Sequence, residues 1–213
     1  MTVSSQPFEA SGPVATFTSA ARSVAALVHN IPEDRWDGPG LGEWDLRSLV
    51  GHASRSLITV STYLHQPAER EDIATPQQYY ALVNPATLGV APTGIIERGR
   101  QAGLELGDDP AATFDQLMSR AVDDLAGVDD PLITVIGGAG IRLHSYLPTR
   151  TFELAVHGLD IARAIGISFL LPTDVLEEAT VLAARVAAAE QHGETVLLAL
   201  TGRAELPQLF SIV

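Results

Sequence analysis

The chain has 213 residues, 46% of them hydrophobic, which suits one domain with a proper core or a main domain plus a small appendage. Its formal net charge is −13, with acidic pairs at Asp108/Asp109, Asp123/Asp124 and Asp129/Asp130 and only 13 scattered basic residues, a balance that argues against nucleic-acid and anionic-membrane binding. It has no cysteine, which excludes disulfides, thiolate zinc sites and a protein thiol nucleophile, so any thiol chemistry needs a thiol from outside.

The spacing predicts a first helix over Pro13–His29, where Val14, Phe17, Ala21, Val24 and Val28 make one apolar face and Ser11 is a plausible cap. A breaker-rich loop, Asn30–Glu43, follows. Asp45 can cap a second helix reaching about Gln66, with Leu46, Leu49, Val50, Ala53, Leu57, Val60 and Leu64 as its core face. His52 stands just beside that face. Residues Pro67–Leu106 read as less regular: Thr75-Pro76 can open a short helix through Tyr79, Tyr80 and Leu82, and Gly94, Gly99 and Gly103 weaken any helix beyond it.

Asp109-Pro110 starts a further helix with Phe114, Leu117, Met118, Ala121, Val122 and Leu125 on one stripe, ended by Gly127 and Pro131. Leu132–Tyr146 reads as two short strands around a glycine turn; its GGAG lacks the spacing and Lys-Ser/Thr ending of a phosphate loop. Pro148–Gly166 reads as the next helix. An Ala-rich helix from Thr173 to about Gln191, with Asp174 and Glu177 as a capping pattern, precedes a short helix near Val196–Leu200 and an apolar end. These elements predict a mainly α fold: a helical bundle with a short β-hairpin and a small C-terminal α/β addition. The expected division is a bundle over 1–167 and an extension packed on it over 168–213.

One stripe breaks the apolar surface of the Pro148–Gly166 helix: Arg150, Glu153, His157 and Asp160, three or four residues apart and flanked by apolar positions. That face is expected to point inward, and buried charge is expensive unless paired or bound to metal. Glu153 and His157 lie about 6 Å apart along the axis, so a carboxylate oxygen and an imidazole nitrogen can converge on one ion. His52, embedded mid-helix beside a core face, is the best third ligand. Two histidines and one carboxylate with a free position is the ligand count of a catalytic zinc site. Two alternatives stay open at this point: an ordinary helical Glu–His pair, and a structural network of Arg150, Glu153, His157 and Asp160. In the metal reading Arg150 and Asp160 orient the ligands. His29, His65, His144 and His192 read as helix-end, hairpin or surface residues, and Trp36 and Trp44 as packing residues.

Two motifs carry a resemblance. WDLRSLVGH, Trp44–His52, and RTFELAVHGLDIARAIG, Arg150–Gly166, resemble the tryptophan-to-histidine signature and the later metal helix of mycothiol-dependent maleylpyruvate isomerase-like proteins, and the tail TGRAELPQLFSIV resembles the ending of many members. The resemblance implies a DinB-like four-helix bundle that binds a divalent metal at His52, Glu153 and His157. Zinc is the first choice, with nickel or iron as alternatives suited to the same donors. It also implies mycothiol as thiol cosubstrate and a small electrophile as partner. The isomerase has a larger second domain after its bundle, whereas about 45 residues follow the metal helix here. A thiol S-transferase of detoxification type, or an orphan member, is therefore expected over the isomerase itself. A non-catalytic metal- or ligand-binding bundle and a metal-assisted hydrolase use the same ligands. The N-terminus has no basic region followed by an apolar run and no stretch is long enough to span a bilayer, so a cytoplasmic monomer or homodimer is expected.

Overall fold

The computed structural model describes residues 12–83 and 92–212. Four helices form the bundle: α1 (Pro13–Val28), α2 (Leu46–Tyr63), α5 (Pro110–Asp124) and α6 (Leu143–Ile165). α1 and α2 each pack against both α5 and α6. Around them lie α3 (Pro76–Val83) and α4 (Pro92–Glu105), then α7 (Thr173–Ala189) and α8 (Gly193–Leu200). Strands β1 (Leu132–Thr134) and β2 (Gly140–Arg142) pair antiparallel, Ile133 opposite Ile141. The core runs along the bundle through the fully buried Phe17, Leu49, Leu57, Phe114, Leu147 and Leu154.

Local chemistry sets the helix starts. Asp45 accepts a hydrogen bond from the Ser48 amide at 2.7 Å, and Asp109 accepts one from the Ala112 amide at 3.0 Å, each satisfying an orphan N–H of the first turn. α1 is preceded by Gly12, whose backbone carbonyl takes the first amides; the Ser11 cap lies outside the described residues. α2 ends at Tyr63 rather than Gln66 because the chain turns there through Gln66 toward β1, whose Thr134 amide donates to the Gln66 carbonyl.

Three elements differ from the sequence expectation. α4 is a regular helix in spite of Gly94, Gly99 and Gly103. The glycines let α4 lie against α2: a Cβ on Gly51 would run into the Gly103 backbone, and one on Gly103 would stand 2.9 Å from the Ser48 Cα. Close helix approach outweighs the propensity cost of glycine.

α6 begins at Leu143, so His144, Ser145 and Tyr146 belong to the helix and not to the hairpin. Proline at a first helical position is the usual reading, but Pro148 lies inside. The early turn is held from outside by Asp130, whose Oδ1 accepts the His144 amide at 2.8 Å, and from within by Thr149, whose Oγ1 donates to the Tyr146 carbonyl at 2.6 Å. The Tyr146 hydroxyl, at the end of a fully buried ring, donates to Thr59 Oγ1 on α2 at 2.9 Å.

The C-terminal addition is helical, with no strand among described residues 168–212. Its apolar end is interrupted by Pro207 and finds no strand to pair with; Ile212 instead packs against the core. α7 buries Val175, Ala179, Leu182 and Val186 in the same apolar cluster as the bundle, against α6, α1 and α3. Its cap residue is Pro172, and Asp174 accepts from the Ser19 hydroxyl at 3.3 Å rather than capping α7. Among the described residues no helix is long and apolar enough to cross a membrane.

Candidate metal centre

α2 and α6 face each other inside the bundle and bring His52, Glu153 and His157 together. One donor atom from each lies within 4.8 Å of the other two. The His52 and His157 rings meet edge to face with centroids 4.8 Å apart. His157 Nε2 stands 3.4 Å from Glu153 Oε2, with side chains 12% and 23% exposed, so the inward orientation expected of the stripe is present.

Two of the three ligand candidates have one atom turned to a neighbour, and the third has a buried nitrogen with none. His157 Nδ1 faces Asp160 Oδ2 at 3.4 Å, leaving Nε2 toward the cluster. Glu153 Oε1 accepts from the Tyr80 hydroxyl at 3.2 Å, leaving Oε2 toward His157. His52 stacks on the Trp44 indole, centroids 4.6 Å apart, and its Nδ1 is buried without a hydrogen-bond partner among the described residues. A buried imidazole nitrogen with nothing to bond is costly and calls for a ligand. Two imidazole nitrogens and a carboxylate oxygen at this spacing suit a divalent ion.

The electrostatics follow from crowding. Burial and the nearby His157 push His52 down to about 4. Burial favours a neutral His157 too, but Asp160 and Glu153 outweigh it and hold that ring up at about 9. Burial alone would raise the Glu153 carboxyl; His157, Arg150 and His52 hold it down at about 2 instead. Tyr80 is raised well above the usual phenol value by burial and by the Glu153 charge, so it stays a donor.

Arg150 does not bond Glu153 directly. Its guanidinium lies between the Tyr79 and Tyr146 rings, 5.2 and 5.0 Å from their centroids, and Nε donates to Thr149 Oγ1 at 3.0 Å. No carboxylate among the described residues forms an ion pair with it. It remains charged in spite of burial because Tyr146, Tyr79 and Glu153 stabilise the cation.

The other histidines stay outside. His29 bonds Asp115 at 2.7 Å on the surface, His144 Nδ1 lies 4.0 Å from Asp130, His192 packs on Phe210, and His65 is exposed. Trp44 does more than pack. Its indole N–H donates to the Ile96 carbonyl at 3.0 Å, and Gly99 gives its ring room, since a Cβ there would come 2.5 Å from the indole. Sequence reading missed Tyr80 and the role of Trp44 beside His52. Nothing in the spacing of α3 points to a carboxylate on α6.

Bundle and cluster define a class of helical protein whose interior carries a histidine–carboxylate set open to a metal. A family model described as the mycothiol maleylpyruvate isomerase N-terminal domain matches residues 17–162. The chain belongs to that family. Comparison with curated proteins and with solved structures gives no match.

Proposed function

We propose that the chain is a metal-dependent enzyme that uses a low-molecular-weight thiol, mycothiol, for S-transfer to, or isomerisation of, a small electrophile. The observation that carries this reading is the convergence of His52, Glu153 and His157 from two helices within 4.8 Å. Family membership and the absence of cysteine support a thiol supplied from outside. A divalent ion, zinc by preference, would supply Lewis acidity that favours the thiolate form of the thiol.

The chain's own residues do the rest. His52 Nδ1 has no competing bond among the described residues, and Asp160 faces the Nδ1 edge of His157 so that Nε2 points into the cluster. Arg150, cationic and without a carboxylate partner among the described residues, suits an electrophile's oxygen on which negative charge develops. Trp44 and Tyr80 close two sides of the cluster and limit water. Residues 1–167 would form the catalytic bundle and 168–213 its support. A cytoplasmic setting, where thiols stay reduced, suits the reaction.

The test is consumption of a model electrophile, monobromobimane, by metal-loaded protein with and without mycothiol. The expected result is metal-dependent turnover that requires the thiol and is lost in His52→Ala. No turnover with any thiol would return the chain to a binding bundle, and thiol-independent hydrolysis of an ester would favour bound water as nucleophile.

A further inference from the structure

Tyr80 is 7% exposed and sits on α3, which packs between α6 and α7. Its ring stands edge to face with Phe152 and with Tyr79, centroids 5.6 and 5.8 Å away, so its position is set by packing. Its hydroxyl has two acceptors at 3.2 Å, the Thr149 carbonyl and Glu153 Oε1. A phenol has one proton to give, and an ionised carboxylate is the stronger acceptor.

A glutamate can ligate an ion through one oxygen or through both, and the choice sets how many positions remain for other ligands. Here the two oxygens are not equivalent. Oε2 faces His157 Nε2 at 3.4 Å, while Oε1 is engaged from the opposite element by the buried phenol. We infer that Tyr80 is a positioning residue that restricts Glu153 to one-oxygen ligation through Oε2 and so keeps a coordination position open for an incoming thiol or substrate. This rests on the metal reading above and adds to it a residue on a different helix. Removing the hydroxyl frees Oε1 to bind the ion beside the ligand in the open position, which raises the coordination number and crowds an incoming thiol.

The experiment uses the full chain loaded with cobalt(II), whose visible absorption is intense when four-coordinate and weak when five- or six-coordinate. The parent is expected to show the intense band. Tyr80→Phe keeps the ring, and is expected to weaken that band several-fold, while the added carboxylate oxygen keeps metal affinity in a chelator competition at or above the parent's. Tyr79→Phe, whose hydroxyl makes no bond to Glu153, is expected to match the parent in both readouts. A Tyr80→Phe spectrum equal to the parent's would overturn the inference. So would a crystal structure of the cobalt-loaded parent with both Glu153 oxygens on the ion, a result that does not depend on any variant folding. Parental affinity in Glu153→Gln would instead sink the metal reading beneath it.

Discussion

His157 Nδ1 faces Asp160 Oδ2 at 3.4 Å on the same helical face, one turn along from the Glu153 carboxylate that its Nε2 meets at the same distance. The imidazole thus lies between two acids, which is why it holds a proton up to about 9 when no ion competes. His52, from α2, meets no carboxylate so closely among the described residues and is pushed down to about 4 by burial and by His157. Two histidines of one cluster therefore take opposite charge states at neutral pH.

The first prediction concerns the metal-free protein's stability. His157 is raised from 6.5 to about 9, so its contribution is complete below 6.5 and is lost as pH rises through 9. His52 is depressed from 6.5 to about 4, so the unfolded chain takes up its proton first and stability falls as pH drops through that window. Glu153, depressed from 4.5 to about 2, extends the acid loss further. Thermal unfolding of metal-free protein should peak near pH 6.5, each shifted group contributing on the order of 3 kcal/mol. A midpoint that is flat from pH 5 to 9 would contradict this charge assignment.

Metal uptake should follow the same protons. At pH 7 His52 is neutral and Glu153 ionised, while His157 is protonated, so binding one ion expels one proton from His157. Calorimetric titration in buffers of different ionisation enthalpy should count one proton per ion. Apparent affinity should rise about tenfold per pH unit between 5 and 8. Asp160→Asn, which removes one of the two acids, should flatten that slope near neutrality and weaken binding at pH 8 by about 10-fold or more. Proton release near zero at pH 7 would show that His157 is not displaced.

Trp44 offers an optical handle. Its indole lies 4.6 Å from the His52 ring and is pinned by the Ile96 carbonyl. In a Trp36→Phe background the remaining emission comes from Trp44 alone, since the chain has two tryptophans. Adding zinc should change that emission, with a titration end point at one ion per chain. Unchanged emission at full metal loading would separate Trp44 from the site.

How much of this was legible before the structure depends on which forces leave a local trace. The bundle helices α1, α2 and α5 show in apolar stripes and in the caps Asp45 and Asp109, because amphipathicity and capping are short-range. The inward stripe on α6 shows for the same reason: polar residues at steps of three and four among apolar ones mark one face. His52 stood out by lying beside a core stripe. Tyr80 left no such trace, because its bond to Glu153 depends on how α3 is laid across α6. α4 was hidden by its glycines, two of which serve contacts that no local pattern shows: Gly103 approaches the α2 backbone and Gly99 the Trp44 ring. Pro148 misled about the start of α6 because the stabilising groups, Asp130 and Thr59, come from other segments.

The α2–α4 contact makes a stability prediction of its own. Gly51→Ala puts a methyl into the Gly103 backbone, so the helices must part. A loss of about 1–3 kcal/mol is expected in denaturant unfolding. Parental stability in this variant would mean that α4 does not lie so close.

The central claim is that His52, Glu153 and His157 hold one divalent ion in common. Anomalous diffraction from crystals of untagged, metal-loaded protein tests it most directly. A single peak is expected within about 2.0–2.2 Å of one nitrogen from each histidine and one Glu153 oxygen. A peak elsewhere, or a His52 ring turned out of reach while His52→Ala and Glu153→Ala keep their full metal content, would contradict it.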